Sequence, residues 1–169
     1  MKKHYSHFKI LDNNQVCDTL FTLKILAPEI ANNSSPGQFI NIYFDNDVKI
    51  FPRPFSISQV TGEVLYIRYK IIGSQTKKMS TWEAGEKIKI LGPLGNSFDV
   101  NAKTTNHILV GGGIGVAPLF YLRDKVYNQQ GNVHFFVGAA SEKEHYIIED
   151  DKRNYILLLM MAPWVIQAQ

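Results

Sequence analysis

The stretch "ILVGGGIGVAPLFYLRDKVYNQQGNVHFFVGAA", Ile108 to Ala140, limits what this chain can become more than any other. An apolar run, Ile108 to Val110, meets Gly111-Gly112-Gly113 and then Gly115. Pro118 opens a segment in which Leu119, Leu122 and Val126 share one face at helical spacing. Proline costs little there, because a first-turn N–H has no intrahelical partner. A second apolar run covers Asn132 to Val137. Strand, glycine turn, helix and strand predict a βαβ unit with a parallel sheet. The glycines let the backbone turn tightly and approach a ligand, and a helix start offers N–H groups to an anion. The spacing is neither G-x-G-x-x-G nor a Walker A, since no Lys-Ser/Thr follows. Tight packing of strand on helix is the competing reading of the same glycines.

The first hundred residues carry a different pattern. "TLFTLKILAP", "GQFINIYF", "EVLYIRYKII" and "EKIKILGPLG" are β-type runs separated by Pro28, Pro36-Gly37, Gly73 and Gly92-Pro93. Short strands between turn signals predict a small antiparallel barrel or sandwich. One helical insertion, of one or two turns, is expected in Thr76 to Gly85. The chain therefore divides near residues 100–105, into a β region over 1–102 and an α/β region over 103–158.

Composition narrows the function classes. Hydrophobic residues are 45% and charged residues 20%, which is globular. The net charge of +3 is spread over scattered lysines, so nucleic acid is not the expected partner. The one cysteine, Cys17, excludes an internal disulfide and an all-cysteine metal site within one chain. His4, His7, His107, His134 and His145 show no ligand spacing, and no nucleophile triad or isolated carboxylate pair stands out. No catalytic or metal-ligating residue is nominated. The N-terminus lacks a signal-peptide apolar core, so the cytoplasm is expected. The apolar tail from Tyr155 contains Pro163 and runs for about 12 residues, where a spanning helix needs roughly 20. A membrane anchor is not expected.

Two further motifs point to phosphate. In "FPRPFSISQV", Pro52 and Pro54 hold Arg53 on extended, stiff backbone. A guanidinium held this way is a good bidentate clamp, and Ser56 could bond a ring heteroatom. A solvated arginine on an edge strand is the plainer reading. In "YKIIGSQTKKMS" a strand ends at Gly73, and Thr76 is placed to cap a helix or hold phosphate. "LGPLGNSF" reads as a rigid turn.

In order, "PGQFINIYF", "RPFSIS", "YKIIGSQT", "ILGPLGNSF" and "ILVGGGIGVAPL" resemble the ferredoxin–NADP reductase superfamily. Within it they look like the electron transfer subunits of NAD-dependent (type B) dihydroorotate dehydrogenase, over roughly residues 5–157. The resemblance implies an FAD-binding β-barrel, then an α/β nucleotide-binding domain, then a segment carrying a [2Fe-2S] cluster. Electrons would pass from NADH through FAD and the cluster to a catalytic subunit holding FMN, in a heterotetramer serving pyrimidine biosynthesis. By resemblance, Arg53, Pro54, Phe55 and Ser56 bind the FAD pyrophosphate and flavin, and Tyr69, Lys70 and Ile71 line it. Gly73, Gln75 and Thr76 fall at the phosphates, and Gly111, Gly112 and Gly113 face the nicotinamide nucleotide. Gln75 stands where the family usually has glycine, which is expected to loosen FAD. The cluster's four cysteines are absent from this chain. A flavin reductase of the same superfamily, or a non-enzymatic flavin-binding or docking remnant, are the alternatives.

The tail itself departs from the family's Thr-Asp-Asp-Gly-Ser-x-Gly run. Met160-Met161 requires ATGATG, and reading from the third base of each codon gives Asp-Asp once Leu159 ends in TG. Met161-Ala162 and Trp164-Val165 then force glycines, so Thr-Asp-Asp-Gly-Ser-Leu-Gly is available in the shifted frame. Residues 159–169 are accordingly expected to be out-of-frame, with Tyr155 to Leu157 the family's next strand. NAD(H) binding is then expected to be weak or lost.

Overall fold

The computed structural model describes residues 2–44, 51–100 and 105–139, and the backbone of 155–159. The expected domain boundary falls largely on residues 101–104, and His145 and the tail from residue 160 onward also lie outside the described residues.

Seven strands form one curled antiparallel sheet. They are β1 (His4–Cys17), β2 (Leu20–Leu26), β3 (Phe39–Tyr43), β4 (Arg53–Ser56), β5 (Gln59–Thr61), β6 (Val64–Lys70) and β7 (Lys87–Leu94). Their order is β4-β3-β7-β1-β2-β6-β5. The curl makes a half-barrel: Phe55 of β4 meets Tyr69 of β6 edge-on, ring centroids 6.3 Å apart. Inward residues alternate along β3 and along most of β6 and β7, as a half-buried pleat requires. Ile10, Leu23, Ile25, Ile40, Ile42, Leu65 and Ile67 are wholly buried between them.

β1 is the strand that periodicity missed. It lies in the middle of the sheet, between β7 and β2, yet only Phe8 and Ile10 of its 14 residues are buried. Register shifts between Ile10 and Asp12 and between Gln15 and Cys17 break its alternation further. β7 also runs on through Gly92-Pro93, where a stop was expected. A short helix, α1 (Pro28–Ala31), replaces the turn expected at Pro28.

The second region has the expected βαβ order. β8 (Asn106–Gly112) passes through a 3-10 turn, Gly113–Val116, into α3 (Ala117–Asn128), then β9 (Asn132–Ala139). β8 and β9 pair in parallel, and β10 (Tyr155–Leu159) adds to β9 in parallel. Pro118 sits in the first turn of α3. The buried face of α3 is Phe120, Leu122, Arg123 and Val126, with Leu119 only partly covered. Phe120 rather than Leu119 fills the core because it meets Phe135 of β9 edge-on at 5.3 Å.

Candidate functional site

The edge strand β4 faces a second short helix, α2 (Ser74–Met79), across a cavity of about 380 Å³. Arg53, Phe55, Ile72, Gly73, Gln75 and Thr76 are among its lining residues. Pairing of β4 with β3 alone, in the register Ile42↔Arg53 to Phe39↔Ser56, fixes the arginine at the sheet edge. Arg53 Nε donates to Gln75 Oε1, tying the strand to the helix.

α2 begins at Ser74 with Gly73 as its N-cap, two residues before the expected start. Thr76 is therefore the third helical residue and not the cap. Its hydroxyl accepts from the Ile72 and Gly73 N–H groups, at 3.0 and 3.2 Å, and donates to the Gly73 carbonyl at 3.1 Å. That hydroxyl proton is already committed to the backbone, so Thr76 shapes the turn.

A second cavity, about 350 Å³, shares Pro54, Phe55, Ile72 and Thr76 with the first. It adds Ser56, Arg68, Tyr69 and Lys70 from the curled sheet, and Ile114, Gly115, Ala117 and Pro118 from the glycine turn and α3. The two make one trough. It runs from Arg53 to the place where the two regions meet, and there Arg68 and Lys70 stand beside apolar walls.

The structure sorts the expected residues. Arg53, Pro54, Phe55, Ser56, Tyr69, Lys70, Gly73, Gln75 and Thr76 all line the trough. Ile71 does not: its N–H bonds Thr19 and its side chain packs on the barrel core. Ile72, its neighbour, lines both cavities and is 83% exposed. Tyr69 is buried, stacked on Phe21 at 5.4 Å, and donates its hydroxyl to Asn13 Oδ1 at 3.1 Å. Burial pushes that hydroxyl's pKa above its ordinary value, so it stays neutral. The alternation of β6 explains both placements. Tyr69 and Ile71 point into the barrel, while Arg68, Lys70 and Ile72 belong to the other face.

The three glycines also separate. A Cβ on Gly111 would stand 2.9 Å from Leu119 Cδ1 and 3.0 Å from Val116 Cα, so this position is glycine for the close approach of strand and helix. Gly112 and Gly113 face open space, and Gly113 has φ +53°. Ile114, Gly115 and Pro118, which form the trough wall, were absent from the sequence expectation. So was Arg68, whose guanidinium lies 3.9 Å from the Phe120 ring centre and joins the two regions. Its signal was the period-two pattern of β6.

Among the described residues no group of three or more His, Cys, Asp or Glu could hold a metal ion, and no helix is long and apolar enough to cross a membrane.

No family model matches the chain. Curated relatives do. The dihydroorotate dehydrogenase B (NAD(+)) electron transfer subunit of Enterococcus faecalis strain OG1RF is 31% identical over 150 residues, covering 86% of this chain and 57% of that protein. The subunit of the same name from Fusobacterium nucleatum is 35% identical over 149 residues, covering 85% and 57%. The chain thus spans a little over half the length of the curated relatives it matches. Among solved structures, the NADH-dependent reduced ferredoxin-NADP oxidoreductase matches with a TM-score of 0.78 and 22% identity, over 89% of this chain and 55% of that one. A ferredoxin NADP+ reductase from Neisseria gonorrhoeae with bound FAD and NADP matches with a TM-score of 0.74 and 18% identity, over 92% and 67%. At those identities the structures establish the fold, a ferredoxin reductase-like half-barrel with part of a nucleotide-binding domain. Over the stretch that aligns, the chain is similar in sequence to the electron transfer subunits of dihydroorotate dehydrogenase B.

Proposed function

We propose that this chain is a flavin-binding electron transfer subunit. It would receive electrons from a reduced nicotinamide nucleotide and pass them to a dihydroorotate dehydrogenase catalytic subunit. The trough carries this reading. Its cationic residues Arg53, Arg68 and Lys70 and its apolar walls at Phe55, Ile72, Ile114 and Pro118 suit the diphosphate and ring of a flavin dinucleotide. Arg53 would hold the diphosphate. Phe55, Ser56 and the β6 backbone would hold the ring, and the turn Ile114–Gly115 would place a nicotinamide nucleotide against it. FAD itself supplies the redox chemistry, accepting a hydride and releasing electrons. The protein binds, orients and excludes water. The one cysteine cannot supply the four thiolates of a [2Fe-2S] cluster, so no step is assigned to one.

The absorbance spectrum of the protein purified with FAD tests this. Flavin bands are expected; their bleaching by NADH, and reduction of the partner's FMN when the catalytic subunit is added, are expected to be slow, in keeping with weakened NAD(H) binding. Arg53→Ala should weaken FAD by roughly 10- to 100-fold, the scale of a lost charged hydrogen bond. Failure of the wild-type chain to retain flavin at all would overturn the reading. Bands that NADH leaves unbleached would leave a flavin-binding docking module.

A further inference from the structure

Gln75 combines two features that seldom occur together. It is 5% exposed and, among the described residues, its Nε2 is buried without an acceptor, yet the same residue lines the cavity beside Arg53. A buried donor left unmet is costly, so its retention calls for a reason.

The other end of the amide supplies one. Arg53 Nε donates to Gln75 Oε1. A guanidinium nitrogen only donates, so the amide must turn its oxygen to Arg53 and its NH2 away. This bond takes one of five donors and fixes the plane of the fork, leaving the terminal nitrogens for another acceptor. It does so without cancelling the charge. A carboxylate at this position would hold the arginine as well, but would neutralise it. Among the described residues Arg53 makes no ion pair.

We propose that Gln75 is a positioning residue for Arg53, so that the two form a diphosphate clamp. The Gln75 amide oxygen holds the fork, and the terminal nitrogens of Arg53 take phosphate oxygens. This rests on the reading of the cavity as the diphosphate site of FAD. It reverses the expectation that a side chain at position 75 loosens the flavin.

The test measures binding of FAD, ADP and riboflavin to the full chain and to Gln75→Ala and Gln75→Glu. Gln75→Ala should weaken FAD and ADP by roughly tenfold. Gln75→Glu should weaken them by roughly 100-fold, since its carboxylate neutralises Arg53 and repels phosphate. Binding of riboflavin, which has no diphosphate, should not change; a role in packing alone would weaken it together with FAD. On an Arg53→Met background the Gln75→Ala effect should shrink, because the two act as a unit. If Gln75→Glu fails to fold, Gln75→Ala carries the test. Unchanged FAD and ADP affinities in both variants overturn the clamp and leave the flavin reading standing. A wild-type chain that binds ADP but not FAD, with the Gln75 losses intact, keeps the clamp and overturns the flavin reading. A wild-type chain that binds neither overturns both.

Discussion

The curled sheet and the parallel sheet bury their residues in different ways. Inside the curl, apolar side chains from both sides close on one another, and Ile10, Leu23, Ile25, Ile40 and Ile67 are fully buried. Among the described residues the parallel sheet is covered on one face only. Leu109 is 8% exposed beneath α3, while Ile108 and Val110, its neighbours on β8, are 70% and 68% exposed on the other face. Parallel sheets are ordinarily covered on both faces. The α/β region thus relies on the half-barrel for part of its support. Leu20 of β2 belongs to its core, Arg68 of β6 lies on Phe120, and the Tyr121 hydroxyl donates to the Ser34 carbonyl at 3.2 Å. One region holds itself together, and the other leans on it.

The sharpest way to break that comparison is Phe120→Ala. Phe120 is 1% exposed, meets Phe135, and carries both the Arg68 and Arg123 guanidinium groups on its ring. Removal should cost about 3–5 kcal/mol, the usual range for a buried phenylalanine. Hydrogen exchange should then show β8, β9 and α3 losing protection while β2, β6 and β7 keep theirs. Equal loss in both regions would mean that the two fold as one unit. Gly111→Ala is the milder form of the same test. The added methyl is too close to Val116 Cα, a backbone atom, so the helix must move away from β8. A cost of about 1–3 kcal/mol confined to the α/β region is expected, from denaturant unfolding and exchange together.

The same contrast explains what the sequence made legible. The glycine turn, the parallel pairing and the half-barrel strands β2, β3, β6 and β7 were readable because apolar spacing follows burial directly. β1 was not, because a central strand whose pleat is broken by two register shifts shows only Phe8 and Ile10 as buried apolar residues. Of the residues nominated by resemblance, Ile71 and Gly111 to Gly113 do not line the trough and the others do. The resemblance named the strand Tyr69–Ile71 without its phase, and only the pleat shows that Arg68 and Ile72 share the outward face with Lys70. Ile114 and Pro118 were hidden for another reason: they reach the site by the docking of one region on the other, which is a long-range contact with no local pattern.

The docking can be weakened by the smallest of changes, at Tyr121. Its hydroxyl is the hydrogen bond from α3 to the Ala31–Ser35 corner beyond α1. Tyr121→Phe should cost about 1 kcal/mol, a single neutral hydrogen bond. The pH dependence gives the sign. Burial raises the Tyr121 pKa above its ordinary 10, so the folded chain keeps a proton that the unfolded chain gives up. Its contribution is complete below about pH 10 and falls as pH rises past that value toward the folded pKa. Tyr69, also raised by burial, adds a loss of the same sign within the half-barrel. The phenylalanine variant removes only the first of these. Its deficit against wild type should therefore be largest at neutral pH and shrink in alkaline solution, while the loss due to Tyr69 persists in both. A deficit that stays constant across that range would show that Tyr121 is not buried between the regions in solution, and would separate the α/β region from the support assigned to it.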